Sequence, residues 1–135
     1  MTSRRTWAGR ILTGLVTVFL LFDGGVKVLN PGFAAAAAPQ IGYTEGLILP
    51  IGLIELACLA VYLIPQTSAL GAVLLTGFLG GAIATHFRVG DPLLGFTLFP
   101  LYVAAILWSG LFLRDSRLRV LVPFSTLTPA RRAGN

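Results

Sequence analysis

Five ionisable residues interrupt or border long apolar segments, and their types limit the chemistry that the chain can carry. They are Asp23, Lys27, Glu55, His86 and Arg88. Charged residues in such segments usually face a bundle interior or a watery cavity, and they often mark a functional site. Asp23 and Lys27 are four residues apart, so they share one face of a helix. Two interpretations stay open for this pair: part of a polar pocket, or a self-neutralising pair at the membrane interface.

Glu55 lies deepest in its apolar segment, and no residue of that segment can pair with it. A lone carboxyl in apolar surroundings either finds a cation on a neighbouring helix or takes up a proton. The structural interpretation is a hydrogen bond that links two helices. We favour a functional role, because ionisable residues at this depth commonly bind ligands or transfer protons. No residue is assigned as catalytic.

His86 and Arg88 lie on nearly opposite sides of an ideal helix, so they cannot both face one pocket unless the helix loosens. Arg88 can neutralise a carboxylate such as Glu55 or Asp91. It can also hold an anionic or carbonyl-bearing ligand with its planar guanidinium. A lone histidine is more often a structural hydrogen-bonding residue than a ligand. Because no second His or Cys stands at metal-ligand spacing, the sequence predicts no metal site.

The chain that positions these residues is too apolar for an ordinary soluble domain. Of its 135 residues, 56% are hydrophobic and 11% are charged, against about 45–50% and about 25% in soluble domains. A membrane-spanning helix needs about 20 mostly apolar residues, and its backbone groups must be satisfied internally. Four windows qualify, at about 7–29, 45–64, 68–87 and 95–113. The sequence predicts an all-α integral membrane four-helix bundle, formed as one domain by residues 1–135.

Glycine and proline positions suggest how these helices pack. Gly77 and Gly81 have GxxxG spacing, which predicts that a neighbouring helix approaches them closely. Pro50 is expected to kink the second helix, since proline lacks the N–H that a helix bond needs.

Positive charge is concentrated at both ends of the chain. Residues 1–10 and 114–135 carry eight arginines and one aspartate, whereas the residues between them carry two cations and four anions. Arginine beside membrane spans marks the cytoplasmic side, so we expect cytoplasmic termini and a basic tail at 114–135. The arginines suit anionic headgroups, and no nucleic-acid partner is expected. Because Asp23 and Lys27 follow the first apolar run, we expect a retained helix rather than a cleaved signal.

Three stretches together carry a family resemblance: FLLFDGGVKVLNP, PIGLIELACLAVYLIPQTSALGAVLLTGFLGGAIATHFRVGDPL and TLFPLYVAAILWSGLFLRDSRLRVLVP. They resemble the DoxX-like family of small four-helix bacterial membrane proteins. The resemblance implies a place in the bacterial inner membrane and a link to membrane oxidoreductase subunits or to resistance against quinones and oxidants. It also implies that the recurrent polar positions are the five ionisable residues above. A quinone is the cofactor that it suggests.

The residues themselves give little support for redox chemistry. Cys58 is the only cysteine, and neither paired haem ligands nor a glycine-rich nucleotide fingerprint is present. We therefore expect no intrinsic cofactor and no independent catalysis. Three functions stay open: a small-molecule-binding subunit of a redox or stress-response complex, a transporter in which Glu55 titrates, and a structural scaffold. A homo-oligomer with an axis lined by Glu55 would favour the transporter.

Overall fold

The structure is a computed structural model that describes residues 3–36 and 38–121, except for the side chain of Glu45. These residues are largely helical, and no strand occurs among them. The α-helices are α1 (Arg4–Leu29), α2 (Pro31–Ala35), α3 (Ile48–Leu63), α4 (Ser68–Val89), α5 (Phe99–Arg114) and α6 (Ser116–Leu121). Short 3₁₀ helices cover Ala38–Ile41 and Glu45–Leu47, and a π-helical turn covers Leu93–Thr97. The predicted all-α class is confirmed; the predicted tail beyond Leu121 lies outside the described residues.

Membrane-spanning length is reached by three apolar segments, Arg4–Leu29, Ser68–Val89 and Leu93–Arg114. α3 is an apolar helix of 16 residues, which corresponds to a rise of ~24 Å. The 3₁₀ turn Glu45–Leu47 directly precedes it and adds ~6 Å, so the combined segment approaches the ~30 Å hydrocarbon thickness. The chain is therefore a multi-pass membrane protein built from helices.

The four long helices pack in a ring, in which α1 and α4 each contact both α3 and α5. Each helix contributes at least one almost completely buried leucine to the core: Leu20 of α1, Leu59 of α3, Leu75 of α4, and Leu107 and Leu111 of α5. The outward faces of the same helices carry many exposed Leu, Ile, Val and Phe side chains. Such an apolar surface would promote aggregation in water, but it matches lipid.

The two ends of the ring are built differently. At the turn end, residues 64–67 join α3 tightly to α4. A Cβ at Gly71 would overlap the Tyr62 backbone, so glycine is what allows the helices to approach here. At the opposite end, the loop end, residues 30–47 connect α1 to α3 and residues 90–98 connect α4 to α5. A short turn and a close helix contact therefore characterise the turn end, whereas longer connections span the loop end.

Arg114 reinforces the turn end through polar contacts with three other helices. Its Nε donates to Thr13 Oγ1 at 3.1 Å, and its Nη2 donates to Ser68 Oγ at 3.4 Å. The guanidinium carbon also lies 5.4 Å from the centroid of the Tyr62 ring. The Tyr62 hydroxyl in turn donates to the Leu107 carbonyl at 3.2 Å. Arg114, which the sequence alone does not distinguish from the other arginines of the tail, thus links α5 to three other helices.

Several helix boundaries differ from the predicted windows, for local reasons. α1 begins at Arg4 because Ser3 Oγ accepts the backbone N–H of Thr6 at 3.3 Å, an N-cap that extends the helix. The fourth long helix, α5, begins at Phe99 rather than near residue 95, with Pro100 in its first turn. Pro50 also lies in a first turn, that of α3. A missing N–H there removes no helix bond, so the expected kink is replaced by a helix start.

Gly77 and Gly81 do not have the helix-packing role that the sequence predicted. Both residues are exposed, and a Cβ at either position would meet no atom within 4 Å. α4 instead meets α3 at Gly71. On its other side it meets α5 through Thr76, whose hydroxyl accepts from Trp108 Nε1 at 2.7 Å. The GxxxG spacing therefore marks open space rather than a helix contact within the described residues.

Candidate functional site

A cavity of about 520 Å³ lies between the four long helices in the loop-end half of the bundle. This volume falls within the ~300–1,000 Å³ that small-molecule sites usually occupy. Its polar lining residues are Asp23, Lys27, Tyr43, Glu55, Thr85 and His86. The rest of the lining is apolar and includes Phe19, Phe78 and Phe99. The cavity is thus a largely apolar space with a few polar groups, as expected for a binding site.

Lys27 is the centre of an ion-pair cluster on one wall of the cavity. Its Nζ donates to Asp23 Oδ2 at 2.6 Å, one helical turn away on α1. It also donates to Glu55 Oε2 of α3 at 2.8 Å. The Glu55 side chain is fully buried, whereas 44% of the Asp23 side chain is exposed. The cluster therefore runs from the protein interior towards the surface.

Glycines bring α1 and α3 close enough for this ion pair. A Cβ at Gly52 would lie 2.6 Å from Lys27 Cβ, and a Cβ at Gly24 would lie 2.8 Å from Leu56 Cδ2. Distances below about 3 Å essentially never occur for real Cβ atoms, so the position of Gly52 requires glycine at this helix separation, whereas the contact at Gly24 is with the flexible end of a leucine side chain. The sequence therefore selects the helix spacing that allows Lys27 to reach Glu55.

Glu55 Oε1 is the unusual atom of the cluster. It is buried and has no hydrogen-bond partner among the described residues, whereas Oε2 of the same carboxyl is bonded to Lys27. Leaving a buried acceptor unsatisfied costs about 1–3 kcal/mol, and more for a charged group. Lys27 has three N–H donors, two of which go to Asp23 and Glu55. Glu55, which carries the unsatisfied acceptor, and Lys27, which has one further donor, both line the cavity.

Residues 38–43, here called the strap, lie across the loop end and connect to α4. Tyr43 and Thr85 share a hydrogen bond of 2.7 Å between their hydroxyl groups, and both line the cavity. Arg88 Nη2 donates to the Ile41 carbonyl at 3.1 Å. Gly42 adopts a positive φ of 76°, a conformation that favours glycine, and Arg88 Nη2 would lie 2.8 Å from a Cβ there. The strap therefore covers the loop end of the cavity.

The structure brings four of the five sequence-predicted polar residues to the cavity: Asp23, Lys27, Glu55 and His86. His86 Nδ1 lies 2.6 Å from Asp91 Oδ2, and its ring stacks on Phe96 with centroids 6.4 Å apart. Arg88 is exposed and bonds to the strap instead of Glu55 or Asp91. Its proposed role as a ligand-holding group is therefore not supported by its position, which follows from the opposite helical phases of residues 86 and 88.

Other cavity residues were not recognisable from the sequence. Tyr43 and Thr85 carry no distinctive signal, because a tyrosine in a loop and a threonine in an apolar helix are both common. Phe19 and Phe99 meet edge to face across α1 and α5, with ring centroids 5.3 Å apart, but phenylalanine recurs in three of the four predicted spans.

The donor set favours an organic ligand over a metal ion. No group of three or more His, Cys, Asp or Glu side chains that could hold a metal occurs within the described part of the chain. The cavity instead combines aromatic and aliphatic walls with the carboxyl, ammonium, hydroxyl and imidazole groups of its six polar lining residues. This arrangement can bind an apolar molecule and orient its polar group through hydrogen bonds.

Comparisons with curated proteins and with solved structures gave no match. A model of the DoxX-like family matches residues 11–110. The matched range includes every residue that lines the cavity, from Phe19 to Val103. It also includes most of α1 and α5 and all of α3 and α4. The chain belongs to the DoxX-like family.

Proposed function

We propose that this protein binds a small apolar molecule, such as a quinone-like compound, in the cavity between its four long helices. The carrying observation is Glu55 Oε1, a buried acceptor without a partner among the described residues, on a side chain that lines an apolar cavity. A ligand hydroxyl or N–H that donates to this oxygen would remove the cost of leaving it unsatisfied. The ligand is therefore an apolar molecule with at least one polar group.

A quinone-like head group suits these residues on chemical grounds. A quinone carbonyl can accept the remaining N–H of Lys27, and the hydroxyl of the reduced form can donate to Glu55 Oε1. The aromatic rings of Phe19, Phe78 and Phe99 supply flat apolar surface for a ring. When bound, a quinone supplies reversible electron and proton transfer. The chain's own residues bind and orient the head group and keep bulk water from it.

The cellular setting of the proposal follows from charge and from family membership. The turn end carries Arg10, Arg114, Arg117 and Arg119, and we place it on the cytoplasmic side of a bacterial inner membrane. Both termini then face the cytoplasm, and the strap faces outward. The family resemblance supports an association with membrane oxidoreductase subunits or with oxidative stress. In that setting the protein is an accessory binding subunit rather than an independent enzyme.

Native mass spectrometry of protein purified in mild detergent, combined with lipidomics, tests the proposal. Glu55→Gln is the site variant, and Asp115→Asn is the matched acid-to-amide control because Asp115 lies at the turn end and does not line the cavity. A hydrogen bond to a charged group is worth about 1.5–3 kcal/mol. We therefore expect Glu55→Gln to lose roughly tenfold or more of a co-purifying apolar ligand, while Asp115→Asn retains it.

Two outcomes contradict ligand binding as the function. Equal ligand content in both variants, with lower thermal stability in Glu55→Gln, indicates that the ion pairs only hold the helices together. Absence of any ligand from the wild type, together with Glu55-dependent substrate uptake in proteoliposomes, indicates transport.

A further inference from the structure

The wall of the cavity is incomplete between α3 and α4. Ile54 of α3 lines the cavity while 55% of it is exposed. Gly77 and Gly81 of α4 also line the cavity and are exposed. A residue that lines an internal space and is also exposed lies where that space opens. The three residues therefore border an opening, here called the α3–α4 opening.

The α3–α4 opening lies at the depth of the lipid chains. α3 and α4 run in opposite directions from the turn at residues 64–67. Ile54 lies about ten residues before this turn and Gly77 about ten residues after it. At ~1.5 Å per residue, both are ~15 Å from the turn end, near the middle of the ~30 Å hydrocarbon layer. The opening therefore faces lipid rather than water.

Gly77 and Gly81 form a bare strip along one edge of the opening. A Cβ at either residue would meet no atom within 4 Å, so their lack of a side chain is not needed for packing within the described part of the chain. Gly80, between them, is also exposed and uncrowded, but it does not line the cavity. The two glycines thus widen the opening specifically on the cavity side.

A second, independent feature of the same cavity points to a ligand. Glu55 is fully buried, and its Oε1 has no hydrogen-bond partner among the described residues. The apolar lining of the opening offers no donor to this oxygen. A helix from a second copy of the chain could cover the glycines, but its exposed apolar face would leave Oε1 unsatisfied. A molecule that combines a donor group with an apolar chain satisfies both features.

We propose that the α3–α4 opening is a lateral portal, through which a lipid-soluble ligand enters from the bilayer. Its polar head lies against Glu55 and Lys27, and its apolar chain passes over Gly77 and Gly81 into the lipid. This inference rests on the proposed binding function and specifies both the route and the ligand class. The ligand is a molecule with a hydrogen-bond-donating head and a long apolar chain, delivered from the membrane rather than from water.

Two probes with the same head and different tails test the portal. One is a hydroquinone that carries a ten-carbon alkyl chain, and the other is the chain-free hydroquinone. Binding is measured by native mass spectrometry of protein in nanodiscs, as the bound fraction against probe concentration. The variants are Gly77→Leu and Gly81→Leu, with Gly80→Leu as the matched control on the same helix. Thermal unfolding of each variant verifies that the bundle remains folded.

We expect Gly77→Leu and Gly81→Leu to weaken binding of the long-chain probe at least tenfold. Binding of the chain-free probe should change less than twofold, and Gly80→Leu should change neither. Equal binding of the long-chain probe to all three variants would overturn the portal but leave the cavity as a binding site. Failure of both probes to bind the wild type would overturn the proposed function together with the portal. A wild-type dimer that both portal variants dissociate would instead assign the glycines to a second copy of the chain.

Discussion

Substitution of Lys27 by methionine should destabilise the bundle strongly, because it leaves a buried carboxylate without its counter-ion. The Glu55 side chain is fully buried, and its ion-pair partner is Lys27 at 2.8 Å. Neither His86 nor Arg88 can replace that partner, since the first pairs with Asp91 and the second bonds to the strap. Methionine keeps the apolar stem but removes the charge. Removing one partner of a buried ion pair typically costs about 3–5 kcal/mol, and we expect this loss for Lys27→Met.

Two further variants separate the effect of leaving Glu55 without a counter-ion from the effect of lost packing. Asp23 is 44% exposed, so Asp23→Asn should cost less than about 1 kcal/mol, as for other partly solvated pairs. The double variant Lys27→Met/Glu55→Leu removes both buried charges. Replacing a buried ion pair with apolar residues is often neutral or stabilising. The double variant should therefore be at least about 2 kcal/mol more stable than Lys27→Met alone.

The free energies of unfolding can be measured by titration of SDS into mixed lipid–detergent micelles, with helix content followed by circular dichroism. The wild type, Lys27→Met, Glu55→Leu and the double variant form a double-mutant cycle, which isolates the Lys27–Glu55 coupling from other effects of each substitution. A cost of less than about 1 kcal/mol for Lys27→Met would mean that the buried Glu55 carboxylate does not depend on Lys27 as its counter-ion, contrary to the expectation. Additive effects of the two substitutions would also contradict it, because they would mean that the residues do not interact.

The remaining predictions concern helix packing and membrane orientation. Gly71→Ala should cost about 1–3 kcal/mol or more, because its Cβ overlaps the Tyr62 backbone. Gly14→Ala should be neutral or stabilise by up to about 1 kcal/mol, since a Cβ there meets no atom within 4 Å. The same SDS titration measures both, and similar losses would contradict the packing at the turn end. For orientation, we expect Ser3→Cys and Ser116→Cys, made on a Cys58→Ser background, to resist a membrane-impermeant maleimide in intact cells. Gly32→Cys should react, and labelling of Ser3→Cys before permeabilisation would contradict cytoplasmic termini.

The number and position of the long helices could be predicted because membrane insertion leaves a strong sequence signal. A segment that crosses lipid must be helical to satisfy its backbone groups, and it must be long and apolar to match the hydrocarbon. Long apolar windows bounded by charge or proline therefore predict the helices. The helix ends were less predictable, because they depend on local features such as the Ser3 cap and the first-turn prolines Pro50 and Pro100. These features shift a boundary by a few residues without changing the topology.

The site was harder to predict because the helices are apolar on every side. In a soluble helix, polar residues mark the exposed face and reveal which residues point inward. In α4 the exposed faces are also apolar, so periodicity places His86 and Arg88 on different sides without showing which side is internal. The partner of Glu55 was uncertain for the same reason, since both Lys27 and Arg88 were available cations. The close approach at Gly24 and Gly52 decides in favour of Lys27.

Glycines have two opposite uses in this bundle, and the difference explains how a polar site can lie open to lipid. At Gly24 and Gly52 a Cβ would collide with the neighbouring helix, so these glycines allow Lys27 to neutralise one oxygen of Glu55. At Gly77 and Gly81 a Cβ would meet no atom of the described residues within 4 Å, so these glycines leave the same cavity open. A cluster that only balanced charge would need the first pair of glycines. It would need neither the unsatisfied oxygen nor the opening, and their occurrence in one cavity favours a ligand from the bilayer.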